Sequence, residues 1–232
     1  KTKTLNLWCD SSNVWLPEDY IIKCSQEVDL NKFVGMDCYV GVDLAATSDL
    51  TAVAYLVVQD GTYYFKTHYY LPESALKDKA DKELYKYWKQ QGYLTVTSGN
   101  VTDYDYITTD MLGYADVVNI QSVGYDKYNA TQWAIDSTEQ GLPLEEYPQT
   151  LGNFNMPTRE LERLILSGKA VIDNNEINRY CFRNVTLKSD HNGNVKPNKA
   201  VDKKKIDGTI AMIQALGMYL RNPRFSNEII TI

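Results

Sequence analysis

Three β-rich runs follow one another at residues 39–45, 51–59 and 62–70, and only Asp60-Gly61 separates the last two. Asp-Gly between such runs is a strong two-residue hairpin signal, because the turn needs positive φ at positions that Asp and Gly tolerate. The runs predict an antiparallel three-strand meander on which every later element must pack. One residue within them does not suit a core strand. In VGVDLAATSDLTAVAYLVV, residues 40–58, Asp43 stands among Val42, Leu44 and Ala45. A buried carboxylate without a partner is costly, so Asp43 predicts a positive partner, with a metal ion as the leading candidate.

After the meander the pattern changes period. A charged helical stretch is expected from Pro72-Glu73 to about residue 91, then a helix over 105–119 with Met111, Leu112, Ala115 and Val118 at helical spacing. A short buried strand over 120–125 ends in Asp126, a helix through Trp133 follows, and 144–147 reads as a further strand. Pro157 is expected to begin a helix that Gly168 ends, since proline suits a first turn. A helix over 175–184, a second hairpin at Asn192-Gly193 and an apolar-striped helix over 202–220 complete the chain. Strands, then strands alternating with helices, predict an α/β domain: a mixed sheet with helices on both faces. Residues 1–37 carry scattered aromatics (Trp8, Trp15, Tyr20) without a sustained period and are expected as a linker or strap, with one domain over 38–232.

Composition removes several function classes. No apolar run approaches the ~20 residues of a membrane-spanning helix. Cys9, Cys24, Cys38 and Cys181 form no CxxC pair and have no histidine at ligand spacing, which argues against zinc or a disulfide framework and for reduced thiols. The net charge of −6 argues against a dedicated nucleic-acid binder, so charge has to be read locally. The chain opens at Lys1 with neither an initiator Met nor an apolar signal stretch, and is expected to be a piece of a longer protein.

Three acids then stand out: Asp43 in the first strand, Asp126 at the end of a later one, and Asp207 in the first turns of the last helix. If the two strands are neighbours and the helix packs on them, the three side chains converge at one end of the sheet. Converging carboxylates repel one another unless cations neutralise them. Mg²⁺ or Mn²⁺ suits an all-oxygen site, and two ions about 3.5–4 Å apart can activate water and stabilise the leaving oxygen of a phosphodiester. Such chemistry requires neither histidine nor a nucleophilic serine. Lys196, Lys199, Lys203, Lys204 and Lys205 lie between the second hairpin and Asp207, where they could form a local path for a phosphate backbone.

GVDLAATSDLTA at 41–52, SVGYDKYNA at 122–130 and KKKIDGTIA at 203–211 resemble, in that order, the C-terminal nuclease domain of tailed-phage terminase large subunits. The resemblance implies a ribonuclease H-like fold, with Asp43, Asp126 and Asp207 as the catalytic, metal-binding acids and Asp49 as an accessory carboxylate. It implies two Mg²⁺ or Mn²⁺ ions and cleavage of concatemeric viral DNA during genome packaging. It implies as partners double-stranded DNA, an ATPase domain of the same full-length protein, the small terminase subunit and the portal, in the host cell cytoplasm. These residues contain no GxxxxGK[ST] loop, so the ATPase half lies outside them.

Each residue also has a plainer explanation. Asp43 could be a hydrogen-bonded core acid, Asp126 could end its strand or cap a helix, Asp207 could favour a helix dipole, Asp49 could belong to a turn, and the lysines could form a solvated face. Only the ordered triple raises the functional explanation above these. Two competing functions remain. VGVDLAATSDLT is also similar to the first phosphate loop of actin-like kinases and ATPases, but Leu44 fills a position where glycine is expected and no second DxG loop follows. A non-catalytic docking module on the same fold is the other.

Overall fold

The structure, a computed structural model, describes residues 15–45, 49–78, 80–128, 130–201 and 204–221. Trp8, Cys9 and Lys203 lie outside the described residues, as does the expected start of the last helix at residue 202.

In chain order, α1 (Glu18–Cys24) runs into β1 (Ser25–Gln26), and a short 3-10 turn (Leu30–Phe33) leads to β2 (Asp37–Asp43). β3 (Thr51–Gln59) and β4 (Thr62–Pro72) complete the meander, followed by α2 (Ala75–Asp78), α3 (Lys82–Gln90) and β5 (Thr95–Thr97). Next come α4 (Tyr104–Ala115), β6 (Asn119–Tyr125), α5 (Thr131–Glu139) and β7 (Leu144–Glu146). The chain closes with α6 (Leu151–Leu166), β8 (Ala170–Asp173), α7 (Glu176–Arg183), the hairpin β9 (Val185–Ser189) and β10 (Val195–Lys199), and α8 (Asp207–Arg221).

The main sheet has the order β1-β8-β4-β3-β2-β6-β7, with β5 beside the end of β4. β2, β3 and β4 are antiparallel, as the Asp60-Gly61 turn predicts, and Asp60 takes the positive φ of 51° that this turn demands. β6 adds to β2 in parallel and β7 to β6 in parallel. This is the ribonuclease H-like mixed sheet. The segment expected as a strap supplies α1 and also β1, a sheet strand paired with β8.

Strand alternation divides the core. Ala52, Ala54 and Leu56 of β3 face the layer built from α1, α6, α7 and α8, whereas Val53, Tyr55 and Val57 face the layer of α4 and α5. Almost every residue of α8 is buried, the mark of a helix lying at the centre of its layer.

Four expectations need correction. The helix expected over 72–91 is two helices, α2 and α3, and the one expected to reach residue 119 ends at Ala115. Pro157 lies inside α6 rather than at its start, which Thr150 caps by accepting the Asn153 N–H. An interior proline leaves the carbonyl four residues earlier without its donor. Here that carbonyl is Asn153, and the Tyr147 hydroxyl donates to it at 2.7 Å. α8 begins at Asp207, making the acid the first residue of the helix.

Candidate metal centre

Asp43 is the last residue of β2 and shares the parity of Tyr39 and Gly41, so it belongs to the α8 side of the sheet. The parallel register pairs Gly41 with Gly124 and Val42 with Tyr125. One step on, Asp43 comes level with Asp126, directly beyond β6. Asp207 arrives from above, because α8 runs antiparallel to β2 and starts where β2 ends. Small residues allow that approach. A Cβ on Gly41 would lie 2.1 Å from the Ala211 carbonyl oxygen, and one on Gly208 would lie 1.9 Å from the Tyr69 hydroxyl. Past the strand, the Ala45 N–H donates to Thr51 Oγ1 at 3.0 Å and the Ala45 carbonyl accepts from the Tyr104 hydroxyl.

Asp43, Asp49, Gln149, Lys196, Lys199 and Asp207 line one cleft of about 520 Å³. Burial, followed by the charge of Asp207, pushes the Asp43 carboxyl well above the usual carboxylate range; Gln149 and Lys199 oppose this, and Asp126 adds to it. Burial and then the charge of Asp49 push Asp207 up to about 6. Asp207 Oδ2 is buried and has no hydrogen-bond partner. Two acids pushed toward protonation by burial and by the charge of neighbouring carboxylates, one with an orphaned oxygen, offer hard oxygen donors whose charge a divalent cation would neutralise. The residues present therefore fit a divalent cation.

The remaining expected residues sort differently. Asp126 is engaged on both oxygens: Oδ1 accepts the Tyr128 N–H at 2.9 Å and Oδ2 accepts the Gln149 N–H at 3.0 Å. Among the described residues, no three His, Cys, Asp or Glu side chains are already gathered into a metal cage. Asp49 is paired with Lys205, whose Nζ lies 2.5 Å from Oδ1 and 2.6 Å from Oδ2. Burial works against ionisation of Asp49, but the hydrogen bond and charge of Lys205 outweigh it and hold the carboxyl below its usual value. Lys196 Nζ donates to the Gln149 carbonyl at 3.0 Å and Lys199 lines the cleft, while Lys204 lies 5.8 Å from the Tyr180 ring centroid. Gln149 was not legible as a site residue. The only local sign is its place in a turn just before the Thr150 cap.

The sequence model of the family "Terminase large subunit, endonuclease domain" matches residues 1–222. Protein YmfN of Escherichia coli (strain K12) is 30% identical over 250 residues, a match that covers 99% of this chain and 54% of that protein. The terminase large subunit of Enterobacteria phage HK97 is 28% identical over 184 residues, covering 77% of this chain and 36% of that protein. The chain thus spans about half or less of these curated relatives. The crystal structure of the HK97 bacteriophage large terminase superposes with a TM-score of 0.79 at 25% identity, over 88% of this chain and 43% of that one. The large terminase nuclease from thermophilic phage G20c with bound magnesium shares the fold, with a TM-score of 0.53 at 12% identity over 78% of this chain and 80% of that one. The family match runs through all three acid-bearing segments, and the sheet that carries them superposes on a large terminase: this chain belongs to the terminase large subunit endonuclease domain family.

Proposed function

We propose that this chain is a divalent-metal-dependent DNA endonuclease that cuts concatemeric viral DNA during genome packaging. The observation that carries the proposal is the buried, partnerless Asp207 Oδ2 sharing a cleft with Asp43, whose own proton affinity is raised. In this reading Asp43, Asp126 and Asp207 hold two Mg²⁺ or Mn²⁺ ions. Magnesium bound to the G20c nuclease, a neighbour in fold, supports that choice. Bound there, divalent cations lower the pKa of a coordinated water and neutralise charge on the leaving oxygen of a phosphodiester.

The chain's own residues do the rest. Asp43 ends β2 and Asp207 begins α8, and Asp126 follows directly on the end of β6, so regular elements carry two donors and adjoin the third. Lys196 and Lys199 face the same cleft and offer charge to a DNA phosphate. Asp49 is accessory: its charge is already met by Lys205. Double-stranded DNA is the substrate in this proposal. The ATPase domain of the full-length protein, the small terminase subunit and the portal supply positioning in the host cell cytoplasm. Among the described residues no helix is long and apolar enough to cross a membrane.

Supercoiled-plasmid cleavage with Mg²⁺, Mn²⁺ or EDTA tests this directly, comparing the native chain with folded Asp43→Ala, Asp126→Ala and Asp207→Ala variants. The expected result is metal-dependent nicking that all three substitutions abolish. Cutting that survives them moves the site elsewhere, and a native chain inert with both ions favours the docking module.

A further inference from the structure

We infer that Gln149 is a positioning residue that ties Asp43 to Asp126 and fixes the spacing of the two carboxylates for a shared cation. The inference rests on the metal-site reading above and adds a residue to it. Gln149 holds both acids at once: its side-chain Nε2 donates to Asp43 Oδ1 at 3.0 Å and its backbone N–H donates to Asp126 Oδ2 at 3.0 Å. Its carbonyl accepts from Lys196 Nζ at 3.0 Å. One residue therefore joins two strand-end acids to a lysine of the β9–β10 hairpin.

The backbone that presents Gln149 is fixed on both sides. The Tyr147 N–H donates to the Tyr125 carbonyl at 2.7 Å, the Thr150 N–H donates to the Pro148 carbonyl at 2.8 Å, and the Thr150 side chain caps α6. The amide is thus delivered from a rigid turn. Asp43 and Asp126 repel each other across neighbouring strands, and a neutral donor between them restrains them without competing as a cation does. Each acid keeps other lone pairs, because a carboxylate offers about four acceptor sites. A hydrogen-bond donor behind a ligating carboxylate fixes its orientation, and loss of such a donor typically costs about 10–100-fold in metal affinity.

The test uses the whole chain and Mn²⁺ alone as probe. Mn²⁺ binding by calorimetry is compared for native protein, Gln149→Ala, Gln149→Glu and Asp43→Ala, together with melting temperatures in EDTA. Gln149→Ala is expected to weaken Mn²⁺ binding about 10-fold or more and to melt in EDTA within a few degrees of native. Gln149→Glu keeps the shape but faces Asp43 with a third negative charge. It is expected to melt lower in EDTA and to recover when Mn²⁺ is added. Native-like or tighter Mn²⁺ binding by Gln149→Ala overturns the inference and leaves the metal site standing. Native protein whose Mn²⁺ binding Asp43→Ala does not reduce overturns both. Independently of any metal, the Gln149 side-chain amide resonances are expected to shift in metal-free Asp43→Asn; unmoved resonances refute the hydrogen bond itself.

Discussion

Gly41 and Ala211 are in backbone contact: a Cβ added to Gly41 would lie 2.1 Å from the Ala211 carbonyl oxygen and 2.4 Å from the Ala215 nitrogen. Neither obstacle is a side chain that can swing away, so Gly41→Ala has to move α8 off β2. Overpacking of this kind costs roughly 1–3 kcal/mol or more. The displacement also carries Asp207 away from Asp43, so Gly41→Ala is expected to lower the urea midpoint and to lose metal-dependent nicking even at temperatures where it remains folded. A variant that is folded, native in stability and fully active would show that the contact does not set the site.

Raised acids make the metal-free protein sensitive to pH in a defined direction. The carboxyl of Asp207 moves from an ordinary value of 3.8 to about 6 in the folded chain, through burial and then Asp49, and Asp43 moves the same way. A folded state that holds a proton more tightly than the unfolded state is favoured below the unfolded pKa and loses that advantage as pH rises through the folded one. In EDTA, stability from this site is therefore present near pH 4 and lost by pH 7. Asp49, whose carboxyl is held low, works in the opposite sense and only at lower pH, where its pair with Lys205 is lost. Asp207→Asn is expected to be roughly 1–3 kcal/mol more stable than native at pH 7 in EDTA and equal to it near pH 4. Added Mn²⁺ is expected to stabilise the native chain alone and close the gap. Equal melting temperatures at pH 7 would remove the electrostatic strain from the account.

What could be read from the sequence was local. The bounds of β3 coincide with the expected 51–59, because β-branched alternation and the Asp-Gly turn act within a few residues. β1, β5 and β8 span two to four residues each, too few to show a period, and they exist because β8 and β4 offer them edges. Pro157 misled because the donor that compensates for it, the Tyr147 hydroxyl, comes from outside the helix, six residues before the carbonyl it meets, and helix periodicity does not register it. The three acids stand in recognisable segments, but the groups acting on them arrive from afar. Gln149 reaches Asp43 across 106 residues of sequence and Lys205 reaches Asp49 across 156. Such partners follow from the packing of α6 and α8, which no short window contains.

The Asp49–Lys205 pair separates a ligand from a bystander. Asp49 contributes to the raised proton affinity of Asp207, yet its own charge is already met by Lys205. Asp49→Asn is therefore expected to keep Mn²⁺ affinity within about threefold of native at pH 7.5, whereas Asp43→Asn and Asp207→Asn lose the 10–100-fold or more typical of a damaged metal shell. Because the pair is partly exposed, breaking it is expected to change stability by no more than about 1 kcal/mol. A loss of Mn²⁺ binding in Asp49→Asn as deep as that in Asp43→Asn would make Asp49 a full ligand.

The lysines differ in what they face, and salt should reveal it. Lys196 and Lys199 line the cleft with the acids, Lys205 is consumed by Asp49, and Lys204 sits over the Tyr180 ring. A phosphate contact releases condensed counterions, so each lost contact lowers the slope of log affinity against log salt by about 1 and weakens binding to all sequences alike. Lys196→Ala and Lys199→Ala are each expected to flatten the salt dependence of duplex binding by that amount, measured by fluorescence anisotropy in Ca²⁺ to hold back cleavage. Lys204→Ala is expected to leave the slope unchanged. The net charge of −6 disfavours DNA binding overall, so two lysines beside the carboxylates act where the field of the rest is adverse. If Lys204→Ala flattened the slope and the other two did not, DNA would run along the α7 side of the molecule, away from Asp43, and the cleft could not be where the phosphodiester is cut.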